Sequence, residues 1–300
     1  MDGILVWGLE TIRIIQSAKS VPLTFLMKAI TFLGSEYAYL AMLPLFYWCY
    51  DERKALRLAF VVLLSAWLNL FLKELWMQPR PYDLDPSVGM ASEKTSGFPS
   101  GHAQGSVGFW GIAASWMRGP AAIALAVFMP LAIGFTRVYL GVHFPTDVLA
   151  GWAVGGLILA AYFAFGRFLE TLFIKADRRL LLLGLTALVF VLNALHPQDV
   201  SLGAVIFGMG TGCLLMTGRF PFSASAAADG SAASVPVKAL RYALGMAGAA
   251  LIYFGLKAVF PGEASPSYSL FRFVRYGLLG FWVAAGAPAL FLRLKLVGAR

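Results

Sequence analysis

Long, uninterrupted apolar runs separated by short charged or proline-rich connections dominate the chain. In the first half they cover residues 22–50, Leu58–Met77, Gly101–Met117, Ala121–Phe135 and 146–166. In the second half they lie near 180–195, 201–217, 237–260 and 271–292. The runs are continuous rather than alternating, which predicts helices and not the strands of a barrel. The fold expected is all-α, a polytopic membrane protein with about nine transmembrane helices. Gly34-Ser35-Glu36 interrupts the first run and leaves its second half as the better span, and Tyr47, Trp48 and Tyr50 then form an interfacial aromatic belt. Residues 1–21 follow another pattern. Leu5, Leu9, Ile12 and Ile15 are spaced 4, 3 and 3, with Glu10, Arg13, Gln16 and Lys19 between them. That is one apolar helical face, and it predicts an amphipathic helix at the membrane interface, ended by Ser20–Pro22. In the fifth run, Gly151, Gly155 and Gly156 offer close helix contact. Phe222–Val235, rich in Ser, Ala and Gly, reads as a flexible loop.

Composition agrees with the pattern. The 300 residues are 59% hydrophobic and 13% charged, whereas a soluble domain carries about twice that charged fraction. The net charge of +9 would suggest nucleic acid in a soluble protein. Here the basic residues cluster between apolar runs, so no nucleic-acid partner is implied. With nine spans, Arg53, Lys54, Arg57, Arg118, Arg167, Lys175, Arg178, Arg179, Arg219, Lys238, Arg241, Arg293, Lys295 and Arg300 fall on one side. Lys73, Arg80, Lys94, Arg137, Lys257, Arg272 and Arg275 fall on the other, joined by Arg13, Lys19 and Lys28. The more basic side is expected to be cytoplasmic. Cys49 and Cys213 lie in or beside apolar runs without metal-ligand spacing and read as small core residues. The N-terminus, with Asp2 and Glu10, does not look like a cleavable signal. Short loops suit an integral protein of a bacterial inner membrane.

Three polar clusters interrupt this apolar background, and the predicted topology gathers them on the outer face. The first is Lys73 with Arg80-Pro81, seven residues on across a helix end. The second is Pro99-Ser100-Gly101-His102, which opens a helix. The third is Thr136–Asp147, which holds Arg137, His143 and Asp147, with His143 and Asp147 four apart. A helix cap would account for the last pair taken alone, and snorkelling would account for Lys73 alone. Together the clusters put three cations, Lys73, Arg80 and Arg137, at one face without a matching carboxylate cluster. Such a set calls for an anion, and phosphate fits it. Ser100 and Gly101 leave free N–H groups at a helix start, a ready anion seat. An imidazole one turn before a carboxylate can be held by it, which makes His143 the nucleophile on phosphorus and Asp147 its orienter. His102 is then the acid for the leaving alkoxide and later the base for water. Protein cations take the role of a metal, so neither metal nor cofactor is required.

These residues carry a resemblance to a known family. The superfamily of type 2 phosphatidic acid phosphatases (PAP2) has the three-part signature KxxxxxxRP, PSGH and SRxxxxxHxxxD. The chain has Lys73-ELWMQP-Arg80-Pro81, Pro99-Ser100-Gly101-His102 and Thr136-Arg137-VYLGV-His143-FPT-Asp147. Order and spacing agree, and the one departure is Thr136 for Ser, which keeps the hydroxyl. The resemblance covers residues 22–166 and implies a helical catalytic core with a phosphohistidine intermediate. By position it implies His143 as nucleophile, His102 as acid/base and Asp147 as the partner of His143. Lys73, Arg80, Ser100, Gly101 and Arg137 form the implied phosphate-binding set. Residues 167–300 lie beyond the usual core, and a nine-span layout is similar to the glucose-6-phosphatase branch.

The resemblance implies a membrane phosphatase acting on a phosphorylated lipid. Phosphatidic acid, phosphatidylglycerophosphate and undecaprenyl pyrophosphate are the candidates. A lipid phosphotransferase using the same phosphohistidine, and a sugar-phosphate phosphatase, stay open beside it. So does a transporter or scaffold that binds phosphate without turnover, although pure binding needs no nucleophile. The C-terminal spans stay open to enclosing the pocket, forming a homodimer contact or handling lipid. His196 reads as a loop residue, Asp83, Asp85 and Glu93 as solvated loop charge, with gating or a headgroup contact as the alternative, and Arg272 and Arg275 as interfacial, with an anionic headgroup open to them on the site's side.

Overall fold

The structure, a computed structural model, describes residues 3–219 and 222–298, without the side chains of Ile174 and of residues 217–219. Asp2 and Arg300 of the sequence reading, and the side chain of Arg219, lie outside the described residues. Among those residues the chain is helical, with one isolated bridge between Ala226 and Ala232. The helices are α1 (Gly3–Gln16), α2 (Val21–Phe32), α3 (Glu36–Cys49), α4 (Glu52–Trp76), α5 (Pro81–Leu84) and α6 (Gly101–Ala114). They continue with α7 (Pro120–Tyr139), α8 (Pro145–Lys175), α9 (Arg178–Leu195), α10 (Ser201–Arg219), α11 (Val235–Val259), α12 (Tyr268–Phe281) and α13 (Ala287–Arg293). A π-helical turn, Trp282–Gly286, joins the last two.

Each of the nine apolar runs is helical, but the count of nine spans is not established. Among the described residues six helices are long and apolar enough to cross a membrane, or seven if α2 and α3, bent by 48° at their junction, form one span. The junction falls at the predicted Gly34-Ser35 interruption. α6, with 14 residues, is short of the roughly 20 that a bilayer needs. Large apolar side chains such as Phe165, Phe190 and Leu251 stay exposed on the long helices, as lipid contact requires. The chain is an integral membrane protein.

Contacts divide the chain into two units, one of Met1–Leu40 with Leu64–Arg167 and one of Ala41–Leu63 with Phe168–Arg300. In the first unit α6 packs on α7. Gly151 and Gly155 of α8 lie so close to α6 that a Cβ would meet the Ser100 carbonyl at 2.5 Å and the Gln104 carbonyl at 2.6 Å. Gly156 has open space around it and takes no part, contrary to the sequence expectation. Gly151 and Gly155, four apart, share a face, and the next residue turns away from it. The predicted apolar face of α1 is present, with Leu9 and Ile12 buried and Leu5 and Ile15 half-buried. It packs on Val88, Val138, Phe144 and Val148, so protein covers it.

The second unit is centred on Trp48, Met216, Phe222 and Phe291. The stretch expected to be a flexible loop contributes to this core. The Ala224 carbonyl accepts from Arg241 Nη1 at 2.6 Å, and its N–H donates to Glu52 at 3.0 Å. His196 follows α9 as its C-cap, in the loop where the sequence put it, and is buried there.

Candidate functional site

The three clusters meet within the first unit. Lys73 sits in the last turn of α4 and is buried. Its ammonium donates to the carbonyls of Ser96 and, at 3.3 Å, of Gly97. Arg80 precedes α5 and is held almost wholly by carbonyls. Nε donates to Thr95 O at 2.6 Å, Nη2 to Ser96 O at 3.1 Å and Nη1 to Val142 O at 2.8 Å. Carbonyls fix these two side chains without cancelling their charge, so the field they make is positive.

The helix ends explain the placement of the rest. Ser100 caps α6, its hydroxyl accepting from Ala103 N at 3.4 Å, and its own N–H donates to the Asp147 carbonyl at 3.0 Å. A Cβ at Gly101 would lie 2.8 Å from Asn69 Oδ1. Asn69 in turn donates to Gln104 at 2.9 Å, and Gln104 donates to Ser65 O at 2.8 Å. This buried amide network ties α6 to α4. His102, in the first turn of α6, is half-buried beside Gly34, and the charges of Arg137, Arg80 and Lys73 all bear on its ring.

Arg137 ends α7, where its carbonyl accepts from Val142 N and His143 N at 3.2 and 3.3 Å. The turn needs Gly141, at φ +67°, where a Cβ would fall 2.0 Å from the Val88 carbonyl. Pro145 then opens α8 in the first helical position. Asp147 is fully buried and accepts three hydrogen bonds. They come from Gln78 Nε2 at 2.7 Å, Phe144 N at 2.9 Å and His143 Nδ1 at 3.3 Å.

These contacts fix the tautomer of His143. Its Nε2 lies 3.3 Å from Arg80 Nη1. A guanidinium only donates, so Nε2 must be the acceptor and Nδ1 must carry the proton given to Asp147. Burial, and then the Arg80 and Arg137 guanidiniums, hold this imidazole well below its ordinary range. A neutral imidazole with a lone pair on Nε2, set among cations, can form a bond to an electrophilic phosphorus.

One expectation needs correcting. Arg137 is not an unpaired cation, and Glu93 is not a solvated loop charge: its carboxylate pairs with Arg137 Nη2. Arg137 Nη1 donates to Thr31 at 2.9 Å, and among the described residues its Nε has no hydrogen-bond partner. Tyr82 pins the Glu93 backbone, donating to its carbonyl at 3.1 Å and accepting from its N–H at 3.0 Å. Asp85 too is engaged, by Arg13 of α1 at 2.6 Å.

Two family models match the chain. One, described as the PAP2 superfamily, covers residues 54–170, and the other, a PAP2 superfamily phosphatase transmembrane extension, covers residues 200–300. The chain belongs to the PAP2 superfamily. The chain is similar to a probable sphingosine-1-phosphate phosphatase of Dictyostelium discoideum, 27% identical over 61% of this chain and 49% of the relative. It is also similar to an undecaprenyl-diphosphatase of Sulfolobus acidocaldarius, 27% identical over 51% of this chain and 75% of the relative. It thus spans about half the length of the first of these relatives. The crystal structure of a transmembrane PAP2-type phosphatidylglycerolphosphate phosphatase from Bacillus subtilis aligns with a TM-score of 0.49. It is 24% identical and covers 56% of this chain and 88% of that one.

The PAP2 model spans all three clusters. Gln78 and Glu93 were not singled out from sequence as partners of Asp147 and Arg137. Gln78 lies two residues before Arg80, which was a usable signal, whereas Glu93 depends on the path of a long loop.

Proposed function

We propose that this PAP2 protein is a membrane phosphatase that removes phosphate from a lipid through a phosphohistidine on His143. The observation that carries the reading is the set Arg80–His143–Asp147. It holds the Nε2 lone pair among cations, with the proton on the Asp147 side. In the first step Nε2 attacks phosphorus, the bond to the lipid oxygen breaks, and His102 gives that oxygen a proton. In the second, His102 takes a proton from water, whose oxygen attacks phosphorus and frees His143 and inorganic phosphate. Lys73, Arg80, Arg137, the Gly101 N–H and the Ser100 hydroxyl carry the charge of the equatorial oxygens, the work a metal does elsewhere. The Ser100 N–H, against the sequence expectation, is taken up by the Asp147 carbonyl. Among the described residues no three His, Cys, Asp or Glu side chains gather to hold a metal ion.

Two observations support a lipid as substrate. An apolar groove of about 210 Å³ is lined by Ile15, Phe135, Val138, Pro145, Val148 and Trp152. Val138 and Val148 are chain neighbours of Arg137 and Asp147. The two relatives described above are named for sphingosine 1-phosphate and undecaprenyl diphosphate, both lipids, whereas others are glucose-6-phosphatases, which keeps the sugar phosphate in the test. The distribution of basic loops supports a site on the outer face of a bacterial inner membrane.

The test is phosphate release by detergent-purified protein in EDTA. The substrates are phosphatidic acid, phosphatidylglycerophosphate, undecaprenyl pyrophosphate and glucose 6-phosphate, with His143→Ala as the blank. The expected result is release from one of the lipids, lost in the variant. Release that survives His143→Ala rejects the phosphohistidine, and preference for glucose 6-phosphate rejects the lipid.

A further inference from the structure

The C-terminal unit holds a charge that the catalytic cluster does not use. Arg275 lies in α12, seven residues past Tyr268 and about 10 Å along the axis of a membrane-spanning segment. Only 7% of it is exposed, and among the described residues its Nε has no hydrogen-bond partner. Among the described residues its guanidinium meets no carboxylate within salt-bridge distance. It faces the rings of Tyr253 on α11 and Tyr276, at 5.4 and 5.3 Å from their centres. Ring faces soften the cost of a buried cation but accept none of its N–H bonds in the plane of the fork. Arg272, one turn nearer the start of α12, has what Arg275 lacks. It donates to Asp199 at 2.8 Å, to Ser201 at 2.6 Å and to Tyr268 at 3.1 Å. The nearby acid is therefore committed to Arg272. Ionisable side chains inside a span pair, line a water-filled path or mark a ligand.

An apolar groove of about 470 Å³ begins one helical turn further along, lined by Leu251, Gly255 and Leu256 of α11 and by Leu278, Phe281 and Trp282, with Arg275 outside the lining itself. Arg275, Leu278 and Trp282 are three and four residues apart and share one face of the helix. Tyr253, under the guanidinium, lies three residues before Leu256 on the opposite wall. The far end of the groove is fixed. Trp282 donates to the Gly245 carbonyl at 2.9 Å and covers Gly248 so closely that a Cβ there would lie 2.1 Å from the indole. Trp282 also begins the π-helical turn, a local widening of a kind that recurs at functional sites. The groove is of a size that takes small molecules.

The geometry points to a second binding site, for one anionic phospholipid, with the headgroup phosphate on the Arg275 guanidinium and an acyl chain in the groove between α11 and α12. One buried cation a helical turn from an apolar trough matches an amphiphile with one anionic end. It matches a zwitterionic lipid less well and a bare apolar helix not at all. This site is separate from the His143 cluster and does not depend on the reaction carried out there.

The experiment uses the full chain in nanodiscs holding equal amounts of phosphatidylglycerol and phosphatidylcholine, with retained lipid read by native mass spectrometry. The expected result is one phosphatidylglycerol retained per chain, enriched about tenfold over phosphatidylcholine, a factor equal to 1.4 kcal/mol. Arg275→Gln should remove the enrichment. Gly255→Phe keeps the cation and fills the groove, and a Cβ at Gly255 meets nothing within 4 Å, so the variant is expected to fold. It too should lose the bound lipid. Absence of enrichment in the wild type, or its survival in both variants, overturns the site. Loss in Arg275→Gln alone, with inorganic phosphate competing for the cation, makes the ligand a free phosphate and overturns the lipid. A second copy of the chain held on this face in place of lipid also overturns it.

Discussion

Replacing Asp147 with Asn keeps the shape of the side chain and removes its charge. Asp147 accepts three hydrogen bonds, so the amide must be fitted among three donors. Its oxygen can keep the bonds from Phe144 N and His143 Nδ1, and its NH₂ then faces Gln78. The Gln78 amide can turn over and accept from it. The fold therefore loses only the charge-assisted part of these bonds, about 1 kcal/mol each. The reaction loses more. As Nε2 bonds to phosphorus the imidazole turns cationic, and at 3.3 Å its attraction to a carboxylate is about 5 kcal/mol at an effective dielectric of about 20. Half of that charge in the transition state gives about 2.5 kcal/mol, close to a hundredfold in rate. The expected result is kcat for phosphate release down about 10²-fold, with KM little changed and the melting temperature lower by about 5 °C. The assay is initial-rate phosphate release in detergent beside a thermal melt of the same preparation. A variant within about threefold of wild type, or one that melts far lower with its turnover per folded molecule intact, would show Asp147 to be a helix cap and nothing more.

Three further outcomes follow from the same geometry. Glu93→Gln takes away a carboxylate that competes with phosphate for Arg137. Because Glu93 is partly exposed, the gain should be modest, about tenfold stronger inhibition by phosphate or vanadate. Weaker inhibition would instead make Glu93 a support for Arg137. Gly141→Ala forces a side chain into a left-handed turn against the Val88 carbonyl and should lower the melting temperature by roughly 5 °C or more. An unchanged melt sinks that account. His143, depressed by burial and by Arg80 and Arg137, should be neutral at pH 6.5 in nitrogen-15 spectra of labelled histidine. Its folded pKa lies below the unfolded one, so the unfolded chain binds the extra proton. This contribution to stability is thus complete above about pH 6.5 and is lost as pH falls below it. A half-protonated His143 at pH 6.5 would contradict the environment described.

Much of the site was legible in the sequence because its parts are fixed by short-range geometry. His143 and Asp147 lie one turn apart, Ser100 and His102 flank one helix start, and Lys73 and Arg80 bracket one helix end. Helical rise alone constrains such pairs. The Glu93–Arg137 pair crosses 44 residues and depends on Tyr82 pinning the loop, which no local pattern encodes. The face of α1 was legible, but its cover was not, since an apolar stripe looks the same whether lipid or Phe144 lies against it. At α6 the helix is shorter than the apolar run that predicted a span. Hydropathy runs on through Met117, while the helix itself stops at Ala114. The sequence expectation that Arg275 is interfacial also misses its burial, because the tyrosine rings over it come from two helices.

Both Lys73 and Arg80 donate to the carbonyl of Ser96. One peptide unit thus works as a shared fastener, and any motion of residues 95–97 must carry two positive charges with it. The stretch from Asp83 to Ser92 carries no charge of the seat, yet it is tied to the same frame. Asp83 accepts from the Arg80 N–H at 2.8 Å, Asp85 pairs with Arg13, and Val88 packs against α1. A change of length there is felt by α1 and by the backbone of Arg80, so the N-terminal helix and the charged seat have to be inherited together.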